Sequence, residues 1–256
     1  MAANLAKSVV KIENCVKIIL GIGTECPESE ANAAMRVVCY YPNWPYYRQG
    51  EGKYTVEDIE PGICTHIIYS FVVLDPASHV IKIHDDWLDV QLGNIKKFTD
   101  LKKSHPGVKF LVALGGWNDS RKPGLYSTLL ASPTKRAAFV SHAVAFIEQW
   151  GFDGLDLDYE YPVDVGGVQS DKPGFTAWIR ELRAAFDAKG LGWELTAAVS
   201  ASASKVDAGY EIVEVSHLLD AVHLMSYDLH GSWESSVDHH ATLYGESGDA
   251  LTVDAA

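Results

Sequence analysis

Acids stand at every second position from Asp156 to Glu160 in Gly151-Phe152-Asp153-Gly154-Leu155-Asp156-Leu157-Asp158-Tyr159-Glu160-Tyr161-Pro162. In a strand, alternate side chains share a face. Asp156, Asp158 and Glu160 therefore point one way, and Leu155, Leu157 and Tyr159 the other. Neighbouring carboxylates then lie about 6.6 Å apart along the strand, close enough to hydrogen-bond where side chains lean together. Burying three ionised carboxylates together is costly, so at least one is expected to be protonated at neutral pH. A carboxyl that keeps its proton is what general acid catalysis requires. Two other readings stand beside this one. The acids could form the solvated face of an antiparallel edge strand, or a divalent-metal site of the kind that clustered carboxylates offer Mg²⁺.

The surrounding elements bear on that choice. Short runs rich in β-branched, aromatic and aliphatic residues are expected as strands: Val37 to Tyr41, His66 to Leu74, Val108 to Leu114, Gly154 to Tyr159, Glu194 to Ser200 and Ala221 to Tyr227. Helical patterns separate several of them. Ser132 and Pro133 read as an N-cap and first-turn proline, followed by Phe139, Ala143, Ile147 and Trp150 on one face and Gly151 as the stop. Phe175, Ile179, Leu182 and Phe186 mark a second helix closed by Gly190, and a third is expected over about Asp89 to Lys103. Repeated strand–helix–strand units imply a parallel sheet covered by helices, either an open doubly wound sheet or a closed (β/α)₈ barrel. No G-x-G-x-x-G follows the first strand and no G-x-x-x-x-G-K-[ST] occurs, which weighs against nucleotide-binding versions. In a barrel the acids line the inside, with Glu160 at the C-terminal mouth where barrel active sites lie.

Composition narrows the classes. The 256 residues carry 21 Lys plus Arg against 34 Asp plus Glu, a formal charge of −13. So acidic a chain is a poor partner for nucleic acid or an anionic membrane. Hydrophobic residues at 47% and charged residues at 21% are an ordinary globular balance. Residues 1–35 read as a leader and linker. Lys11, Glu13 and Lys17 interrupt its apolar stretch, so it is a poor secretory signal. The body is expected to start near Arg36. His223 reads as a packed core histidine and His239-His240 as a solvated loop pair, since no further ligand cluster accompanies them.

Asp153-x-x-Asp156-x-Asp158-x-Glu160 resembles the signature of glycoside hydrolase family 18, the chitinases. Val38-Cys39-Tyr40-Tyr41-Pro42-Asn43-Trp44, Thr65 to Phe71, Leu114-Gly115-Gly116-Trp117 and Leu224 to Glu234 resemble the family's first, second, third and sixth strand segments, in order. The resemblance runs from about Met35 to the C-terminus. It implies a (β/α)₈ barrel that cleaves β-1,4-linked N-acetylglucosamine polymers without a cofactor. The implied reaction retains configuration, with the substrate's own N-acetyl oxygen as nucleophile.

Carried onto this chain, the resemblance makes Glu160 the general acid and then base. Asp158 holds the acetamido N–H, Asp156 shares a proton with Asp158, and Tyr227 donates to the acetamido carbonyl. Asp228 touches the sugar, and Asp153 is structural. Tyr40, Phe71, Gly116, Trp117, Tyr161, Met225 and Trp233 are expected to line the sugar groove, with Trp44 nearby; flat rings suit the apolar faces of pyranoses. Trp150, Trp178 and Trp193 read as packing. Cys39 and Cys64 occupy positions that form a disulfide in animal relatives, which fits an extracellular, monomeric enzyme acting on chitin or chito-oligosaccharides.

Two departures stand out. Tyr159 replaces the family's frequent Trp, on the face away from the acids, where little effect is expected. Only 29 residues follow Tyr227, too few for the two further strand–helix units of the family. The chain is thus expected to form about six-eighths of a barrel and to be poorly stable and weakly active alone. A chitin-binding lectin without catalysis is the competing class. Such lectins usually lack the acid that this chain keeps as Glu160.

Overall fold

The computed structural model describes residues 6–8, 35–245 and 251–255. The rest of the leader, with Cys15 and Cys26, lies outside the described residues. The sheet contains β1 (Ala6–Ser8), β2 (Val37–Pro42), β3 (His66–Leu74), β4 (Ile81–Ile83), β5 (Lys109–Gly115), β6 (Gly154–Asp158), β7 (Glu194–Ser200) and β8 (Ala221–Met225). Its order is β1-β2-β3-β5-β6-β7-β8, with β4 hairpinned onto the end of β3. From β2 to β8 every neighbour along that path is parallel. The leader's β1 instead pairs antiparallel with β2.

Helices supply the crossovers: α1 (Asn94–Asp100), α2 (Trp117–Ser120), α3 (Leu125–Leu130), α4 (Pro133–Trp150), α5 (Asp171–Lys189), α6 (Ala203–Gly209) and α7 (Ile212–Leu218). Local chemistry sets their ends. Ser132 Oγ accepts from the Lys135 N–H at 3.3 Å, and Gly151 closes α4 at φ 75°. Gly190 closes α5 at φ 64°. The helix expected over Asp89 to Lys103 is divided, because Gly93 adopts φ 72° and separates the turn Trp87–Gln91 from α1. The expected strand from Ala221 stops at Met225, and the one from Gly154 at Asp158.

The sheet curls. Tyr40 on β2 and His223 on β8 come from opposite ends of the parallel series, yet their side chains meet at 2.6 Å. Outside the curl, Leu155, Leu157 and Tyr159 pack with Phe139, Ile147, Trp178 and Ile179 in the main core. Inside it, Val38, Ile68, Leu111, Ala113 and Ala221 form a smaller cluster. β6 is covered on both faces and paired on both edges, so its acids are not the solvated face of an edge strand. The architecture is an α/β partial barrel; among the described residues β8 has only β7 as strand neighbour. Trp178 and Trp193 are buried, and Trp150 packs against the same core.

Two fastenings act near the strands' starts. Cys39 and Cys64 form a disulfide that joins β2 to the approach of β3, 25 residues apart in sequence. Across the curl, Arg36 Nη2 meets Glu194 Oε2 at 2.7 Å and His66 Nε2 meets it at 3.2 Å. Burial alone would raise the Glu194 carboxyl; His66 and Arg36 overcome that and bring it to about 2. The folded value lies below the unfolded one. The stabilisation is therefore complete above about pH 4.5 and lost as pH falls toward 2. Arg36→Ala is expected to cost about 2 kcal/mol at pH 7 and much less near pH 2, read from urea unfolding at both pH values. A penalty independent of pH would contradict the pair's role.

Candidate active site

The acidic strand sits where side chains from three other strands converge. Asp156 is fully buried. Its Oδ2 accepts from the Tyr40 hydroxyl of β2 at 2.8 Å, and its Oδ1 from Thr196 of β7 at 2.6 Å. Nδ1 of His223, from β8, lies 3.1 Å from the same Oδ1. Burial pushes the Asp156 carboxyl up, but His223, Thr196 and Tyr40 together bring it below the usual aspartate range. Asp156 is thus held as an anion. His223 is buried as expected of a core histidine, but it is also this carboxylate's partner. The cue available in the sequence was its place two residues before Met225 on the same strand face as the pocket.

One layer up, Asp158 ends β6 and Glu160 follows two residues later. Backbone contacts explain the Gly115-Gly116 pair. Gly115 adopts φ 113°, and a Cβ there would lie 2.3 Å from the Asp158 carbonyl oxygen. Gly116 then donates its N–H to that oxygen at 2.9 Å. A Cβ on Gly116 would also press on the Phe71 ring at 3.1 Å. The glycines let β5 approach β6 and seat Phe71 together. Phe71 itself falls where the β3–β5 register shifts, between Ser70 and Val72; such irregularities re-aim a side chain. The Ser70–Phe71 and Glu160–Tyr161 peptides are cis.

Above the acids lies a trough of about 1300 Å³. Asp158, Glu160, Tyr227, Tyr40, Phe71, Gly116, Trp117, Tyr161, Met225, Asp228 and Trp233 all line it. Asp156 lies beneath that lining. Asp153 is remote from it, bound to Lys102 Nζ at 2.6 Å and to the Phe110 N–H at 2.8 Å. Trp44, Trp117 and Trp233 are 48%, 44% and 67% exposed, so they are not core fillers. Trp44 stacks on Phe71 with ring centroids 6.1 Å apart. Burial and then the nearby Asp158 and Glu160 raise the Tyr227 phenol, so it stays protonated and offers an O–H. Tyr161 is raised by burial and then by Glu160.

Other expectations resolve simply. Tyr159 points away from the acids, stacked 4.4 Å from Tyr126, and its hydroxyl donates to Asp171 Oδ2 at 2.8 Å. His239 and His240 are exposed. Among the described residues no three His, Cys, Asp or Glu side chains gather as a metal-holding group. The oxygens of Asp156 are already taken by protein donors.

Sequence reasoning missed Ser120, whose hydroxyl lies against the backbone of Asp158 and Glu160. It also missed Asp119, buried on the trough wall and accepting from Tyr126, Lys122 and the Leu74 N–H at 2.9, 2.7 and 2.9 Å.

Comparisons with known proteins agree with this geometry. An endochitinase of Manduca sexta is 45% identical over 217 residues, covering 84% of this chain and 39% of that protein. The solved Group II chitinase catalytic domain 2 of Ostrinia furnacalis, a mutant in complex with (NAG)5, superposes with TM-score 0.81 at 48% identity, covering 86% of this chain and 58% of that one. Human YKL-39, a pseudo-chitinase with retained chitooligosaccharide binding, superposes with TM-score 0.77 at 32% identity, over 87% of this chain and 61% of that one. The chain therefore spans well under two thirds of the length of its first relatives. The model of Glycosyl hydrolases family 18 matches residues 36–256, and with the acidic strand and its aromatic trough in place, this chain belongs to that family.

Proposed function

We propose that the chain hydrolyses β-1,4-linked N-acetylglucosamine polymers with retention of configuration, the substrate's own acetamido group acting as nucleophile. The observation that carries this reading is Glu160 lining an aromatic-walled trough, with Asp156 buried two strand positions before Asp158 among donors from Tyr40, Thr196 and His223. A negative charge beneath the pair favours a proton on the carboxyls above it. Glu160 gives that proton to the glycosidic oxygen as the C–O bond breaks. The acetamido carbonyl oxygen closes on the anomeric carbon, Asp158 holds the acetamido N–H, and the Tyr227 hydroxyl orients the carbonyl. Glu160 then takes a proton from the water that opens the cyclic intermediate. Because the nucleophile belongs to the substrate, positioning carries much of the rate. Trp44, Trp117 and Trp233 supply flat apolar walls, and Asp228 a polar contact.

The domain assignment follows: residues 36–256 as a catalytic barrel portion and 1–35 as leader. The disulfide supports an extracellular setting, and no described helix is long and apolar enough to cross a membrane. With β7 as the only hydrogen-bonded strand neighbour of β8 among the described residues, the 256-residue chain alone is proposed to work slowly, as a monomer. A lectin without catalysis is the weaker reading, because Glu160 is present and lines the trough.

Glu160→Gln is expected to lower turnover of a fluorogenic chitobioside at least 10³-fold (about 4 kcal/mol), while chito-oligosaccharide affinity changes little. Wild-type turnover in that variant would end the assignment. His223→Asn removes a partner that opposes the burial of Asp156, so its carboxyl rises. The acid limb of the kcat/KM profile is expected to move to higher pH, with kcat down about 10-fold. An unmoved acid limb would show that the state of Asp156 does not govern activity.

A further inference from the structure

The β5–β6 and β6–β7 ladders end at Asp158 and Leu157, so Glu160 sits two residues past the last strand pair. What directs its backbone there is a serine from the crossover between β5 and β6. Ser120 closes α2 and is 1% exposed. Its hydroxyl donates to the Asp158 carbonyl at 3.2 Å and accepts from the Glu160 N–H at 3.0 Å. Ser120 is itself tied back, its N–H donating to the Gly116 carbonyl at 3.0 Å while the Gly116 N–H donates to the Asp158 carbonyl at 2.9 Å. The residue between, Tyr159, turns the other way into its stack on Tyr126.

We propose that Ser120 is a positioning residue for Glu160. Its hydroxyl continues the strand ladder with one side-chain atom, joining the carbonyl before Tyr159 to the amide after it. That fixes the direction in which the Glu160 carboxyl enters the trough. A hydroxyl suits this place because one group must donate on one side and accept on the other, which no apolar side chain can do. The inference rests on the reading of Glu160 as proton donor. Loss of the hydroxyl leaves the trough walls untouched, so it acts on proton delivery rather than on sugar binding.

The test compares wild type with Ser120→Ala on a chito-oligosaccharide, alongside amide hydrogen exchange at Glu160. The variant is expected to lose about 10-fold to 100-fold in kcat, with KM within about twofold and faster exchange at the Glu160 amide. An equal kcat, or a loss confined to KM, would overturn the proposal. If the variant does not fold, exchange in the wild-type chain still decides, since a Glu160 amide exchanging as an unbonded one overturns the clamp by itself. Nil turnover in the wild type would sink the functional reading instead, and the wild-type amide measurement would still decide on the clamp.

Discussion

A single buried carboxylate holds this architecture and its chemistry together. Asp156 has no access to water, so its charge survives only if the protein replaces hydration with donors. Tyr40 from β2, Thr196 from β7 and His223 from β8 do so. These strands are not adjacent to one another in every case, and satisfying one anion between them requires the sheet to curl. The same anion lies beneath the residues that face substrate. A structural demand, pairing a buried charge, and a chemical demand, keeping a proton above it, meet at one side chain.

Around that centre the fold supplies precision through backbone contacts. Gly115 and Gly116 bring β5 against the Asp158 carbonyl, and Ser120 extends the grip to the Glu160 amide. The aromatic residues stand around this frame: Trp44 opens a short helical turn just past β2, Trp117 opens α2, and Phe71 sits at the irregularity of β3. Trp44 leans on Phe71, which in turn rests against the bare Gly116 backbone. The wall of the trough and the direction of the acidic strand therefore share one support. At the opposite end Arg36 and His66 hold Glu194 across the curl, so cross-lumen pairing recurs where the strands begin.

Much of this was legible in the residues. Alternation in β6 separated the leucines that meet helices from the acids that face inward, because a strand offers two faces and only one suited a helical cover. Caps such as Ser132 and Gly151 marked α4, since their chemistry is local. Other features depend on residues far apart in sequence. His223 read as ordinary core because its partners, Asp156 and Tyr40, lie far earlier in the sequence and meet it only on folding. Ser120 gave no sign for the same reason: its partners are 38 and 40 residues away. Gly93 breaks a helix whose apolar spacing continues through it, so periodicity alone could not show the break.

The most direct test follows the Asp156 carboxyl itself by carbon-13 NMR of the side-chain carboxyl, assigned by comparison with Asp156→Asn. The account requires it to remain ionised as the pH falls past 3.8, the ordinary aspartate value, because three strands supply its partners. A carboxyl that takes up its proton above that value would contradict it. The charge beneath Glu160 would then be absent under working conditions.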